Sequence, residues 1–232
     1  MNHAVILAGG LGTRLRPLTD HVPKPLVPIA GRPFLDWQIE YLRGQGIDSV
    51  LLLISYQAEK IVEYFQQNPV AGVSLDYSVE SSPAGTGGAV KLALSKLPSH
   101  FFLLNGDSFA PMDFRKMASF HQAMNCEFSM AVATTQIHRE ALGNTKIAEQ
   151  RLVDYRRDGG DLAGYLWIDA GVYCCSRSAI EIWPDGVFSV ESTWPVAMSR
   201  GPVAAHVLSH NFYDIGTLER LRHFEAKIHD FF

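Results

Sequence analysis

Apolar runs and helical periodicity alternate along the first half of the chain. Continuous apolar or alternating stretches predict four strands, over residues 4–8, 49–54, 73–79 and 101–104. Apolar positions three to four residues apart predict three helices, which begin near Pro33, Ala58 and Ala89. This order of strand and helix predicts an α/β fold, a Rossmann-like, mainly parallel sheet with right-handed crossovers and helices on both faces.

The second half continues with elements of both types and contains no Pro/Gly/Ser-rich linker. Its pattern predicts a helix over residues 113–125 and a last helix that follows the 213–217 segment and ends near residue 228. It also predicts strands over residues 126–134, 145–149, 152–155 and 167–174. The sheet is therefore expected to be mixed overall. The length of 232 residues fits a single domain, residues 1–232, with a first half over 1–112 and a second half over 113–232.

Composition and charge narrow the class of protein. A formal net charge of −4 argues against nucleic-acid binding, because a basic surface is needed to neutralise a phosphate backbone. There is no apolar run long enough to cross a bilayer and no basic N-terminal region, so we expect a cytoplasmic protein without a membrane partner. The three cysteines, two of them adjacent, suggest neither a disulfide framework nor a zinc site. A monomer and a homodimer are equally compatible with the sequence.

The first predicted strand runs directly into a glycine-rich loop, LAGGLGTR. Glycines without Cβ atoms can take positive φ and turn successive backbone N–H groups toward one point, as phosphate-binding loops do. Arg14 and Lys24 bring two positive charges to the same strand end. An ordinary glycine-rich turn is the alternative. The candidate nucleotide-binding residues of this stretch are Leu7, Ala8, Gly9, Gly10, Gly12, Thr13, Arg14 and Lys24.

The longer string over residues 9–33, GGLGTRLRPLTDHVPKPLVPIAGRP, resembles the signature of the sugar-1-phosphate nucleotidyltransferase family. The resemblance implies the nucleotide-diphospho-sugar transferase fold. It also implies transfer of a nucleoside monophosphate from an NTP to a sugar 1-phosphate, with release of pyrophosphate. Arg14, Lys24 and Asp107 are then the expected catalytic residues, and Mg²⁺ is the expected cofactor, because carboxylate and phosphate oxygens suit a hard cation.

A second motif, ESSPAGTGGA over residues 80–89, resembles the family segment that lines the nucleobase pocket, with alanine in place of a more usual leucine. It makes Glu80, Gly85, Thr86 and Gly87 candidates for nucleotide binding. An ionised carboxylate only accepts hydrogen bonds, and guanine offers it two adjacent donors, N1–H and N2–H. Glu80 therefore favours GTP, although it is also compatible with a contact to the loop or the ribose. A simple turn with Thr86 as a helix cap is the alternative for this segment.

Two later motifs contain the candidate metal ligands. Asn105-Gly106-Asp107 follows a predicted strand and resembles the family's magnesium motif, although N-G-D is also an ordinary turn sequence. The string YDIGT from residue 213 resembles the family's terminal motif, in which the aspartate, here Asp214, supplies a second magnesium ligand. The two aspartates are far apart in sequence and can meet only through the fold.

The motifs for the sugar phosphate depart from the family pattern. Leu142-Gly143 keeps only the glycine of a Y-G pair, Tyr155-Arg156-Arg157 replaces an E-K pair, and Asp169 replaces the asparagine of N-A-G. The candidate sugar-phosphate residues are Asn105, Gly143, Arg156, Arg157 and Asp169. Arginine binds phosphate well, but Arg156 and Arg157 are also compatible with a solvated surface, and Asp169 with an ordinary strand end.

The short length, the GTGG segment and the YDIGT string resemble family members that join GTP to a heptose 1-phosphate. We therefore expect these two substrates. The alternatives are UTP with N-acetylmuramic acid 1-phosphate, or GTP with mannose 1-phosphate. A protein of another class, a non-catalytic sensor or regulatory subunit that binds nucleotide sugars, is also compatible with the departures described above.

Overall fold

The computed structural model describes residues 1–136, 142–156 and 163–232. The described residues form thirteen strands: β1 His3–Leu7, β2 Pro28–Ile29, β3 Arg32–Pro33, β4 Ser49–Ile54, β5 Ser74–Val79, β6 His100–Asn105, β7 Ser108–Phe109, β8 Phe128–Thr134, β9 Thr145–Ala148, β10 Arg151–Tyr155, β11 Trp167–Ser176, β12 Val203–Val207 and β13 Tyr213–Asp214. They also form seven α-helices: α1 Phe34–Gly44, α2 Ala58–Gln67, α3 Gly85–Leu92, α4 Phe114–Met124, α5 Arg177–Glu181, α6 Trp194–Arg200 and α7 Leu218–Glu225.

Most predicted elements lie within a few residues of their predicted bounds, and β4 matches them at both ends. Helix α3 differs, because it begins at Gly85 instead of Ala89. Its first turn is held from outside the helix, where the N–H groups of Gly87 and Gly88 donate to the Phe188 carbonyl at 3.0 and 3.2 Å. Strand β8 begins at Phe128 and not at residue 126, because Asn125 ends α4 in the left-handed region.

The chain divides into two compact units. The first unit contains residues 2–83, 104–109 and 213–232, and the second contains residue 1 and residues 84–103 and 110–212. Strand β6 belongs to the second unit up to Leu103 and to the first from Leu104.

The first unit contains the parallel strands β5, β4 and β1, in that order. Strand β4 is buried along nearly all of its length, as expected for a parallel strand covered on both faces. A separate two-stranded ladder pairs β7 with β13. The core cluster of the first unit contains aromatic and aliphatic side chains from all three of its chain segments: Leu15, Val27, Ile29, Phe34, Trp37, Phe109, Ile215, Leu221, Phe224 and Ile228.

The second unit contains a mixed sheet in the order β11, β8, β12, β10 and β9. Strand β8 pairs antiparallel with β11 and parallel with β12, while β10 pairs antiparallel with both β12 and β9. Helix α4 packs against β8, β11 and β12. The register of β11 against β8 shifts between Asp169 and Tyr173, an irregularity typical of a β-bulge that redirects side chains. The parallel and antiparallel pairs together make the α/β fold mixed, as predicted.

The three cysteines are free thiols. Cys174 and Cys175 are buried on β11, and this burial raises the pKa of both thiols, so they stay protonated and unreactive. Within the described ranges, no helix combines the length and the apolar character needed to cross a bilayer.

Candidate functional site

The glycine-rich loop begins where β1 ends, and its glycines serve different purposes. Gly12 is the one of the three in the left-handed region, with φ of 63°, although the sequence allowed positive φ at all of them. A Cβ at Gly12 would lie 2.9 Å from side-chain atoms of both Lys24 and Thr19. A Cβ at Gly10 would meet no heavy atom within 4 Å, so this glycine borders open space. Gly12 therefore shapes the loop, and Gly10 leaves its outer side clear.

The loop keeps its backbone donors available. The Ala8 N–H donates to the Leu53 carbonyl at 2.8 Å, and a short 3-10 turn begins at Thr13. Within the described part of the chain, the N–H groups of residues 9–12 donate to no backbone carbonyl. Backbone N–H groups of folded proteins are normally hydrogen-bonded. A run of partly exposed N–H groups that have no backbone acceptor is therefore typical of a loop that binds an external acceptor.

Lys24 and Asp107 meet in the first unit. The Lys24 ammonium donates to Asp107 Oδ2 at 2.6 Å, and the lysine side chain is only 10% exposed, against 36% for the aspartate. Gly106 allows the turn before Asp107 to approach β1, because a Cβ at that position would overlap the Leu7 carbonyl, to which its N–H donates at 3.0 Å. The enclosed lysine stem holds the ammonium in place and leaves two of its three donors for another anion.

Asp214 lies beside Asp107 through the β7–β13 ladder. Asp214 pairs with Ser108, and the Ile215 N–H donates to the Asp107 carbonyl at 3.0 Å. The Asp214 carboxylate accepts from the Gly216 N–H at 2.8 Å and from Arg220 at 2.9 Å. The prediction that the fold must bring the two aspartates together has its physical basis in this ladder.

Arg14 completes the charged group. A Cβ at Gly216 would lie 2.8 Å from Asp214 Oδ1 and 3.2 Å from Arg14 Nη2, so the exposed guanidinium stands beside this carboxylate. Three cations, Arg14, Lys24 and Arg220, thus surround two aspartates. These three cationic groups can donate hydrogen bonds to the oxygens of a polyphosphate.

The chemistry of the Asp107 and Asp214 side chains suits a magnesium ion. No group of three or more His, Cys, Asp or Glu side chains that could hold a metal occurs among residues 1–136, 142–156 and 163–232. Mg²⁺ does not need one, because it is typically bound through one or two carboxylates together with substrate phosphates and water. Both oxygens of Asp107 and Asp214 are hard donors, and a carboxylate oxygen that accepts one hydrogen bond has a second lone pair.

Glu80 follows β5 and lies next to the glycine loop. Its N–H donates to the Ile54 carbonyl at 2.9 Å, which continues the β4–β5 ladder by one residue. Its Oε1 lies 3.2 Å from the position that a Cβ of Gly9 would take. The first unit therefore brings Glu80, the glycine loop, Arg14, Lys24 and both aspartates together.

The remaining residues of the second motif have internal contacts in the second unit. Thr86 Oγ1 accepts from the Val190 N–H at 2.9 Å, and Ala84, not Thr86, precedes the helix as its cap residue. A Cβ at Gly85 or Gly87 would overlap Phe188. These glycines let the segment around Phe188 pack on α3, a packing role that the motif did not reveal. Gly85 itself is exposed.

The candidate sugar-phosphate residues have separate surroundings. Asn105 ends β6, and its carbonyl accepts from Gln38 at 3.0 Å in the first unit. In the second unit, Gly143 is buried where a Cβ would overlap the Tyr165 carbonyl. Arg157 lies outside the described residues.

Arg156 is exposed and contacts a neighbouring aromatic ring. Its guanidinium carbon lies 5.1 Å from the centroid of the Tyr165 ring, above which Lys146 also stands at 4.3 Å. The Tyr165 hydroxyl donates to Asp154, and this hydrogen bond lowers the pKa of the Asp154 carboxyl. Lys146 and Asp154 were not identified from the sequence as neighbours of Arg156.

Asp169 stands in a different polar cluster. Its Oδ2 accepts from the hydroxyls of Tyr173 at 2.8 Å and Tyr155 at 3.3 Å, and its Oδ1 accepts from the Gly171 N–H at 2.9 Å. Desolvation raises its pKa to about 6, with the nearby Glu191 charge as a further cause, while the hydrogen bonds act in the opposite direction. Tyr173 and Glu191 were missed by sequence reasoning, because neither belongs to a recognisable motif.

Comparison with known proteins connects these features to a family. The family model described as nucleotidyl transferase matches residues 3–230. D-glycero-alpha-D-manno-heptose 1-phosphate guanylyltransferase of Campylobacter jejuni is 33% identical over 229 residues, 95% of this chain and 97% of that protein. The mannose-1-phosphate guanyltransferase of Kluyveromyces lactis is 36% identical over 220 residues, 91% of this chain and 60% of its own length.

The fold is similar to that of a solved relative. The crystal structure of HddC from Yersinia pseudotuberculosis complexed with GMP-PN matches with a TM-score of 0.85 and 31% identity, and the match covers 98% of this chain and 99% of that one. This similarity confirms the predicted nucleotide-diphospho-sugar transferase fold.

Proposed function

Because the chain belongs to the nucleotidyl transferase family, we propose that it transfers the guanylyl group of GTP to a heptose 1-phosphate and releases pyrophosphate. One observation supports this above all. Lys24, Asp107, Asp214 and Arg14 come from distant parts of the sequence and converge beside a loop with available N–H donors.

The proposed chemistry is a direct displacement. A phosphate oxygen of the sugar 1-phosphate forms a bond to the α-phosphorus of GTP, and the bond from that phosphorus to the bridging oxygen breaks. The electron pair leaves with pyrophosphate. The attacking oxygen is already ionised, so neither a protein nucleophile nor a general base is required. Catalysis then depends on alignment of the two phosphates and on stabilisation of the charge that builds on the leaving oxygen.

Lys24 and Arg14 have suitable positions for charge stabilisation. Lys24 is anchored by Asp107 and keeps two N–H donors for phosphate oxygens. Arg14 offers a planar fork of donors that can bind a phosphate bidentately. The N–H groups of residues 9–12 add neutral donors without moving, which is the preorganised arrangement that stabilises developing negative charge.

Asp107 and Asp214 would hold Mg²⁺ in this proposal. When bound, the ion supplies Lewis-acid stabilisation of the phosphate oxygens. The chain's own contribution is to hold the backbone segments of the two aspartates side by side through the β7–β13 ladder and to orient Asp214 with the Gly216 N–H and Arg220. A preoriented pair loses less side-chain entropy on binding the ion.

The choice of guanine rests on Glu80 and on relatives. A carboxylate beside Gly9 can accept hydrogen bonds from both N1–H and N2–H of guanine. The Campylobacter and Kluyveromyces relatives are both named as enzymes that transfer a guanylyl group. We extend that choice of base to this chain, and we propose Gly85, Thr86 and Gly87 as further residues of the nucleobase pocket.

For the sugar phosphate, we propose the half of the chain over residues 113–232, with residues 1–112 as the nucleotide half. The candidate residues of that half are Gly143, Arg156, Arg157 and Asp169, and Asn105 of the other half is a further candidate. Heptose 1-phosphate is preferred because the Campylobacter relative spans nearly the whole chain at 33% identity. Mannose 1-phosphate is the second candidate, because the Kluyveromyces relative reaches 36% identity over 220 residues.

The experiment is a matrix of magnesium-dependent pyrophosphate release. The native protein is incubated with each common NTP against heptose, mannose, glucose and N-acetylmuramic acid 1-phosphates, with EDTA as the metal-free control. Release confined to GTP and heptose 1-phosphate would agree with the full proposal. Release with GTP and mannose 1-phosphate would change the sugar alone, and release with UTP would remove the Glu80 argument. Nucleotide binding without release from any pair would favour a non-catalytic sensor.

A further inference from the structure

Gln38 is a polar residue on the buried face of α1. Its side chain is 2% exposed, and the residues one turn before and after it, Phe34 and Leu42, are buried as well. Side chains four residues apart lie on the same face of a helix, so this position belongs to the interior of the first unit. Glutamine is mostly found on protein surfaces, and a buried one normally forms hydrogen bonds that the fold needs.

The Gln38 amide donates to the turn that carries Asp107. Its Nε2 donates to the Asn105 carbonyl at 3.0 Å and to the Ser108 carbonyl at 2.8 Å. An amide nitrogen has two N–H groups, so one is available for each carbonyl. The two carbonyls flank Gly106 and Asp107 in the sequence, and Gln38 therefore bridges this turn from one end to the other.

The oxygen of the same amide has no partner. Gln38 Oε1 is buried and forms no hydrogen bond with the described residues, which is unfavourable for a polar atom. The orientation of the amide is nevertheless fixed, because the opposite one would place Oε1 against two carbonyl oxygens. An apolar side chain would avoid the unpartnered oxygen. A role other than stability must therefore account for the two donors.

The other hydrogen bonds of the turn connect it to different elements. The Gly106 N–H donates to the Leu7 carbonyl of β1 at 3.0 Å, and the Ile215 N–H donates to the Asp107 carbonyl at 3.0 Å. Gln38 adds the connection to α1. The Asp107 side chain is 36% exposed, so its direction depends largely on the backbone that these contacts hold.

We propose that Gln38 is a positioning residue, which fixes the turn so that the Asp107 carboxylate points toward the divalent cation and Lys24. The inference rests on the proposed function and adds to it a residue that is too deeply buried to contact the substrates itself. Groups that orient a metal ligand through hydrogen bonds typically change metal affinity or activity by about 10- to 100-fold when they are replaced.

The test uses Gln38→Met in the whole protein. Methionine has a similar length but lacks both the two donors and the unpartnered oxygen. The matched control is Trp37→Phe on the same helix. Trp37 is also buried, and its Nε1–H also donates to a backbone carbonyl, that of Ile29 at 2.8 Å, outside the Asp107 turn. Circular dichroism shows whether the variants fold. If Gln38→Met does not, Gln38→Asn takes its place, because its shorter side chain draws the donors back from the two carbonyls.

Gln38→Met should lower kcat by about 10- to 100-fold and raise the Mg²⁺ concentration for half-maximal velocity by about 10-fold. Mn²⁺ prefers the same oxygen ligands, and its binding to the protein with GTP but without sugar 1-phosphate should weaken by about 10-fold in electron paramagnetic resonance titrations. Trp37→Phe should leave all three quantities within about threefold, because its hydrogen bond lies elsewhere. It should nevertheless lower the melting temperature at least as much as Gln38→Met does.

A double-variant cycle with Asp107→Asn tests whether Gln38 acts through Asp107. In the Asp107→Asn background, Gln38→Met should lower kcat by less than about threefold, because the carboxylate that Gln38 positions is already absent. A residue that only stabilises the fold would lower kcat equally in both backgrounds.

Three results would overturn the inference: native kcat and Mn²⁺ affinity in Gln38→Met, the same losses in Trp37→Phe, or an undiminished effect of Gln38→Met in the Asp107→Asn background. In all three cases the native protein still transfers nucleotide. Absence of pyrophosphate release from the native protein with every substrate pair would instead refute the proposed function on which the inference rests.

Discussion

Asp107 is the residue whose replacement best separates folding from catalysis. Asp107→Asn keeps the shape and an oxygen that can still accept from Lys24, but it removes the charge. A hydrogen bond to a charged group contributes about 1.5–3 kcal/mol and a neutral one about 0.5–1.5 kcal/mol, so the exchange costs about 1–1.5 kcal/mol before screening. Asp107 is 36% exposed, and screening reduces this to about 1 kcal/mol of unfolding free energy.

The effect on turnover should be larger. Metal stabilisation is worth several kcal/mol, and a 100-fold loss corresponds to about 2.7 kcal/mol of activation free energy, so we expect kcat to fall by more than about 100-fold. The Mg²⁺ concentration for half-maximal velocity should rise as well, because the remaining aspartate binds the ion alone. The assay is pyrophosphate release under a magnesium titration, together with urea unfolding of the same preparation.

A matched control is available in Asp113→Asn. Asp113 also has a lysine neighbour, with its Oδ2 at 3.8 Å from Lys116 Nζ, and it caps α4, a position at which asparagine is equally suitable. The turnover of the Asp113→Asn variant should stay at the native level. If Asp107→Asn turns over within about threefold of the native protein, Asp107 has no part in catalysis. If kcat falls but the magnesium requirement is unchanged, the aspartate acts by holding Lys24 and not as a metal ligand.

Three further predictions concern the base, the loop and pH. Glu80→Gln should lower kcat/KM for GTP by about 10- to 100-fold and reduce the preference for GTP over ITP, which lacks the N2–H donors, because a charged acceptor is lost. Gly12→Ala should lower the free energy of unfolding by about 1–2 kcal/mol, because the backbone at this position has a left-handed φ. Gly10→Ala should change the free energy of unfolding by less than about 0.5 kcal/mol. It should nevertheless raise KM for GTP, because the added methyl group enters the space beside the loop. Burial raises the pKa of Asp169 to about 6 in the folded protein, so ionisation of this carboxyl opposes folding. As pH rises from 4 to 7, the free energy of unfolding of the native protein should therefore fall by up to about 3 kcal/mol relative to that of Asp169→Asn.

Each of these three has its own contrary result. An unchanged ratio of GTP to ITP activity in Glu80→Gln would mean that the carboxylate does not read the base. Equal destabilisation by the two alanine substitutions, measured by urea unfolding, would contradict the assigned difference between Gly10 and Gly12. Parallel stability curves of the native protein and Asp169→Asn across that pH range would show that Asp169 ionises normally in the folded state.

The strands and helices with clear periodicity were predictable, and so was the convergence of the glycine loop with Asp107. Parallel strands place their carboxyl ends at one edge, and β1 and β5 lead to the glycine loop and Glu80 in this way. The meeting of the Asp107 and Asp214 segments was expected only through the family resemblance. The ladder that creates it has two residues in each strand, which is too short for any pattern in the sequence to indicate.

The glycines of the second motif show a different limit. Sequence reasoning connected Gly85 and Gly87 with a ligand, yet their nearest neighbours are atoms of Phe188, about a hundred residues further along the chain. A glycine needed for close approach looks the same in sequence whether a phosphate or another backbone approaches it. The polar surroundings of Asp169 were missed for a similar reason, because Tyr173 and Glu191 approach this carboxylate only through packing.

The first unit is composed of three separate stretches of chain, and the last of them, residues 213–232, supplies Asp214 together with Phe224 and Ile228 of the core. During synthesis the glycine loop emerges first, but its unit cannot complete its core until these residues have left the ribosome. The grouping of Lys24, Asp107 and Asp214 and the stability of their unit therefore appear together, only after residues 213–232 have been synthesised. A chain that ends before residue 213 has neither.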